Sequence, residues 1–130
     1  LTQRDLSEIT QLCEQMQHAA DNVDVARYLW TNFAFHRRIY AVANAELTVA
    51  AVENFWLHMG PCFALVAPDK AHLQRSMEAH TRIVEALAAR DGAGARAAVT
   101  DDIMQAADSL ARLLVKNDRA RSSVSGGKRA

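Results

Sequence analysis

The sequence predicts an all-α fold, an antiparallel bundle of about five to six helices, on three observations. Alanine fills 25 of the 130 positions against 5 glycines and 2 prolines, so the best helix former is abundant and the breakers are scarce. Apolar residues recur at three and four residue intervals along most of the chain, which is the period of a helix face and not of a strand. Turn-forming residues fall in short clusters, and short turns between long helices require antiparallel neighbours. Half of the residues are apolar and 23% are charged, a composition that suits one soluble domain with its own core.

Thr2 and Asp5 form an N-cap signature ahead of Leu6, Ile9, Leu12, Cys13 and Met16, which predicts a first helix over residues 3 to about 20. Asp21 and Asn22 break it. A second helix from Val23 to Ala43 places Val25, Leu29, Asn32, Phe33, His36, Ile39 and Tyr40 along one face, and Asn44 stands at a common terminating position. The third, starting near Ala45, puts Leu47, Ala51, Asn54, Leu57 or His58, and Pro61 on one side, with a bend expected near Gly60. Pro68 opens a fourth helix to about Arg90 with Leu73, Met77, His80, Ile83, Val84 and Leu87 inward. After a turn at Asp91 and Gly92, a fifth helix from about Ala93 to Lys116 presents Val99, Asp102, Ile103, Ala106, Leu110, Leu113 and Leu114. The methionines Met16, Met77 and Met104 and the phenylalanines Phe33, Phe35, Phe55 and Phe63 are read as core. This divides the chain into a domain over 1–117 and a basic tail over 118–130 that is expected to be disordered.

Formal charge is zero overall, but residues 116–130 carry a surplus of four positives and residues 1–115 a deficit of four, so the body is not built to attract phosphate. No GxGxxG, GxxxxGK[ST] or GxSxG occurs, which removes the common phosphate-cradling loops and the nucleophile elbow. Cys13 and Cys62 match neither a zinc-knuckle spacing nor a disulfide framework and are read as reduced packing residues. With no run of about 18 apolar residues and no signal peptide, a cytoplasmic location and no membrane partner are expected.

Four polar residues fall on inner faces of three helices: Asn32 and His36, His80, and Asp102. Burying such groups without partners costs about 1–3 kcal/mol for the neutral ones and more for an ion, so they must satisfy one another or share a cation. Asn32 and His36, four residues apart, sit about 5–6 Å from each other on one helix surface and can reach one ion. His80 and Asp102 would close the site from facing helices. Two imidazoles, a carboxylate and an amide suit a borderline divalent ion such as zinc, nickel or manganese better than calcium. A hydrogen-bonded polar core is the alternative reading of the same residues, and either Asp101 or Asp102 could supply the inward carboxylate. Asn54 and His58 form a second pair at a four-residue interval, read either as contacts to a bound anion or as a polar pair facing outward. Arg75 and Arg82 flank His80.

The segments Asn32-Phe-Ala-Phe-His36, Asn44-Ala-Glu-Leu47, Glu78-Ala-His80, Ile83-Val-Glu-Ala-Leu87 with Arg90-Asp91, and Ala95-Arg-Ala-Ala98 leading to Asp102-Ile103 resemble the C-terminal effector-binding (FCD) domain of FadR-type GntR transcriptional regulators. The likeness runs from about residue 3 to residue 115. In that family the matching positions hold an aspartate and three histidines that bind a divalent metal; here Asn32 stands where aspartate is usual and Asp102 where the third histidine is usual. The resemblance implies no catalysis but a ligand-sensing homodimer, with a small organic acid completing the metal's coordination and Asn54, His58 and Arg75 as additional effector contacts. It implies further that a winged helix-turn-helix domain and the first helix of the effector domain precede Leu1 in the complete protein, so that DNA is contacted only through the missing part. A small metal-dependent hydrolase or oxygenase in a helical bundle is the rival expectation.

Overall fold

The computed structural model describes residues 1–66 and 70–126. Over them run five helices, α1 (Gln3–Asp21), α2 (Val25–Val42), α3 (Glu46–Val66), α4 (Lys70–Ala88) and α5 (Gly92–Gly126), with no strand among the described residues. The expectation of an all-α bundle holds.

Each well-defined helix start has a side-chain reason. At α1 the Thr2 hydroxyl accepts from the Asp5 amide at 3.1 Å while the Asp5 carboxylate accepts from the Thr2 amide at 2.6 Å, so two otherwise orphaned donors are satisfied reciprocally. Asp24 accepts from the Arg27 amide at 3.0 Å to start α2, and Asp91 accepts from the Gly94 amide at 2.9 Å to start α5. A Cβ at position 94 would collide with the Asp91 carboxylate, so this close approach requires glycine there.

The helix ends share one solution. After α1 the amide of Val23 bonds the Ala20 carbonyl and that of Asp24 the Ala19 carbonyl; after α2 Asn44 and Ala45 bond Ala41 and Tyr40; after α4 Arg90 and Asp91 bond Leu87 and Ala86. These are three Schellman closures, and each puts its turning residue at positive φ: Val23 at 55°, Asn44 at 53° and Arg90 at 56°. The residue that ends each motif begins the next helix, since Asp24, Ala45 and Asp91 all accept the first intrahelical bond of the following element. Turnarounds this short force α1 against α2 and α4 against α5 as hairpins. The first helix also packs on α4, whereas α3 touches α2 and, more sparsely, α5.

Ile9, Met16, Ala19 and Ala20 of α1, Phe35 of α2, and Leu73, Ala79 and Ile83 of α4 lose all contact with solvent and form the core. Cys13 is buried beside them, and burial pushes its thiol up to about 11. On the surface, Arg38 of α2 donates to Asp5 at 2.6 Å and to Glu8 at 2.8 Å, tying the start of α1 to the second half of α2.

Several expectations change. Val23, expected inside α2, is instead the left-handed residue that closes α1. The fifth helix continues to Gly126, beyond the expected end at Lys116 and into the tail expected to be disordered; propagation adds one hydrogen bond per residue to an existing helix, and Arg119, Ala120 and Arg121 are good helix formers. Pro68, the last four residues, and the side chains of Phe63, Leu113 and Leu114 lie outside the described residues. Phe55 and Met104, read as core, are 52% and 56% exposed. On α5 the reason is geometric: Asp102 takes the inward direction, and its neighbours Ile103 and Met104, rotated by ~100° and ~200° around the axis, cannot share it. No helix among the described residues is long and apolar enough to cross a membrane.

A β-branched residue in the left-handed region is strained by roughly 1–2 kcal/mol. Val23→Gly is therefore expected to raise stability by about 1 kcal/mol, measured by urea denaturation, whereas Ile9→Ala should lower it by about 2–5 kcal/mol.

Candidate metal and ligand site

The second helix carries Tyr28, Asn32, His36 and Tyr40 at successive four-residue steps, so they stand one above another on a single ridge. The fourth helix repeats the device with His72, Ser76 and His80. Where these ridges meet the fifth helix, Asp102 enters between the two imidazoles. Its Oδ2 lies 3.0 Å from His36 Nε2 and its Oδ1 lies 3.6 Å from His80 Nε2. One ligand atom from each of His36, His80 and Asp102 lies within 4.8 Å of the other two, and all three residues are buried. The open choice between the two aspartates is thus resolved: Asp101 points outward, with its side chain 57% exposed and 3.7 Å from Arg82.

The electrostatics leave the site short of partners. His36 Nδ1 and both ring nitrogens of His80 are buried without a hydrogen bond of good geometry among the described residues, although the Ser76 backbone lies beside the His80 ring. Burial pulls the His80 imidazole down to about 4, with the Asp102 carboxylate acting against it and His36 adding to it. Near neutral pH His80 therefore offers a lone pair instead of a charge. Burial pushes Asp102 up, but the His36 hydrogen bond, followed by the two imidazoles and Arg82, more than reverses this, and the carboxyl stays ionised. Phe35 sets its ring edge-on to both imidazoles, 5.4 Å from His36 and 5.3 Å from His80, holding them apolar on one side.

A cavity of about 390 Å³ opens in front of His36 and Asp102, within the ~300–1,000 Å³ range of small-molecule sites. His80 lies behind this wall, fully buried. Asn32 lines the cavity one turn before His36, so of the four expected ligands three converge and the fourth faces the same space. Beyond the polar end the wall is aromatic and aliphatic, with the Phe33 and Trp56 rings stacked at 5.4 Å and 19°. Tyr28 lines the polar end, its ring 6.5 Å from that of His80; burial pushes its phenol up, and its hydroxyl is buried near Ser76 without a hydrogen bond of good geometry.

Asn54, His58 and Arg75 are exposed and have no place in the wall. His58 Nδ1 instead donates to the Asn54 carbonyl one turn back, at 2.8 Å. Of the two readings of Asn54 and His58 the structure shows the outward-facing pair, and the face assigned inward on α3 is corrected: Leu47 is 89% exposed and Leu57 77%, whereas Val52, Trp56 and Met59 turn towards the cavity. A helix apolar on nearly every side has no stripe from which to choose a face. Reasoning from the sequence also passes over Tyr28, His72 and Ser76, although the four-residue spacings Tyr28-Asn32-His36 and His72-Ser76-His80 already carry the signal.

The depressed His80 makes metal-free stability depend on pH. The unfolded imidazole titrates near 6.5 and the folded one near 4, so between these values the unfolded chain binds more protons and acid favours it. Thermal melts of the metal-free chain should be flat between about pH 7 and 8 and fall as the pH drops towards 4, with lowered Asp102 acting in the same direction; His80→Phe should reduce the fall between about pH 6.5 and 4.

Comparison with known proteins places the fold and the family. The HTH-type transcriptional regulator McbR of Escherichia coli (strain K12) is 29% identical over 107 residues, covering 81% of this chain and 48% of that protein. The solved structure of E. coli McbR/YncC superimposes with a TM-score of 0.79 at 28% identity, covering 87% of this chain and 57% of the other. The chain thus spans about half the length of the curated relative it matches. Relative and family speak for a regulatory and not a catalytic role, as expected. The FCD domain family matches residues 1–105, more than three quarters of the sequence, and the chain belongs to that family.

Proposed function

We propose that this chain is the ligand-sensing and dimerising domain of a GntR-family, FadR-type transcription regulator acting in the cytoplasm, and that it holds a divalent metal on His36, His80 and Asp102, with Asn32 as fourth ligand. The observation that carries the proposal is the convergence of three buried ligand atoms within 4.8 Å of one another, together with a fully buried His80 whose Nε2, 3.6 Å from Asp102 Oδ1, has no hydrogen bond of good geometry. Such orphaned atoms cost free energy unless something accepts their lone pairs or protons. A metal ion removes the deficit at the His80 lone pair directed towards Asp102. Imidazole nitrogen, carboxylate and amide oxygen favour zinc, nickel or manganese over calcium.

The metal's role is to bind and orient. His36 and Asp102 face both the ion and the cavity, so a carboxylate entering the cavity can complete the coordination. DNA is contacted by a winged-helix domain elsewhere in the full-length protein, and the acid acts as effector by favouring one arrangement of two such domains in a homodimer; it must bind the two arrangements unequally to shift them. McbR, named a helix-turn-helix regulator, supports this reading, as does the family match.

Elemental analysis after metal reconstitution is expected to find one divalent ion per chain. His80→Ala should weaken metal binding by at least about tenfold and remove the metal-dependent rise in melting temperature; undiminished metal content in that variant would exclude the ligand set. Asn32→Asp, which supplies a second carboxylate, should tighten binding by about tenfold in the same titration.

A further inference from the structure

We propose that the effector is a monocarboxylate with an apolar, ring-bearing or branched body, and that the cavity discriminates against di- and tricarboxylates. The inference rests on the metal reading above and extends it from charge balance and wall chemistry.

With His36 and His80 neutral as ligands, a divalent cation and the single Asp102 carboxylate leave one net positive charge. One carboxylate on the incoming molecule neutralises it. Further negative charge would need a cationic partner: no lysine or arginine is among the residues lining the cavity, and His72 is the lining imidazole outside the proposed ligand set. Arg37 pairs with Glu53 at 2.6 Å, Arg38 with Asp5 and Glu8, and Arg82 with Asp101, while Arg75 is exposed and outside the wall. A second carboxylate lying against the aromatic and aliphatic part of the wall would therefore be desolvated without a cationic partner, a costly arrangement for a buried charge.

The wall specifies the rest of the molecule. Opposite the polar end, the stacked Phe33 and Trp56 rings are joined by Leu29, Val52, Met59 and Leu110, a surface that can replace water only for carbon. Gly60 gives the indole its place, since a Cβ there would stand 3.3 Å from Trp56 Nε1. At the polar end the buried Tyr28 hydroxyl, near Ser76 but without a hydrogen bond of good geometry, can turn to donate to the carboxylate oxygen that the metal does not take. The acid is thereby gripped at one end and solvated by aromatic rings at the other.

The test is isothermal titration of the zinc-loaded chain with phenylacetate, phenylacetamide, succinate and citrate, repeated on the zinc-free chain. Phenylacetate is expected to bind, with phenylacetamide, succinate and citrate at least about tenfold weaker. Phe33→Ala and Tyr28→Phe should each weaken phenylacetate by about tenfold with unchanged zinc content, which separates loss of the cavity from loss of the metal. Succinate or citrate binding as tightly as phenylacetate to the zinc-loaded chain would overturn the inference while leaving the metal reading intact. Failure to take up zinc, or equal phenylacetate affinity with and without it, would overturn the metal reading itself.

Discussion

One carboxylate organises the interior. Asp102 is buried and ionised between two histidines from different helices, and an ion in that position is tolerable only while its partners stay within reach. The requirement fixes the rotation of three helices at once: α2 must present His36, α4 must present His80, and α5 must turn Asp102 inward at the expense of Ile103. The apolar core of α1, α2 and α4 supplies the stability that bears this cost. Phe35, adjacent to His36, belongs to both systems, since it fills the core and seats its edge against both imidazoles.

Much of this could be read from residue order. The cap at Thr2 and Asp5, the stripes of α1, α2 and α4, and the inward direction of His36 and His80 follow from helical spacing, because each of those helices has one apolar face and one polar face. The meeting of His36, His80 and Asp102 does not follow from spacing alone. It required either the fold or the family likeness, and periodicity had left Asp101 and Asp102 equivalent. The third helix was illegible for the opposite reason: residues such as Leu47, Val52, Trp56, Leu57 and Met59 leave hardly any polar side, so the exposed flank holding Asn54 and His58 looked as suitable for burial as the flank that lines the cavity. Val23 misled because β-branched residues rarely turn left-handed; here the Schellman hydrogen bonds to Ala19 and Ala20 hold it there.

The cavity's character comes from the same division of labour. Its polar end is made by helices anchored in the core, and its apolar end by α3 and α5 together with Leu29 and Phe33 of α2; α3 packs on α2 and only sparsely on α5. The histidines that must be held to fractions of an ångström thus sit on well-packed elements, and one side of the wall that only excludes water sits on the least buried one. Filling the apolar end adds contacts for the element that has fewest of its own.

The ladder of Tyr28, Asn32, His36 and Tyr40 along α2 also determines which kinds of genetic change the protein can absorb. Replacing one rung alters one side chain and leaves the others aimed as before. Inserting or deleting a single codon within the helix turns everything beyond it by about 100°, so that the rungs on either side of the lesion no longer face the same way. Drift in this stretch is thereby confined to exchange of residues at constant length, however freely the individual letters change.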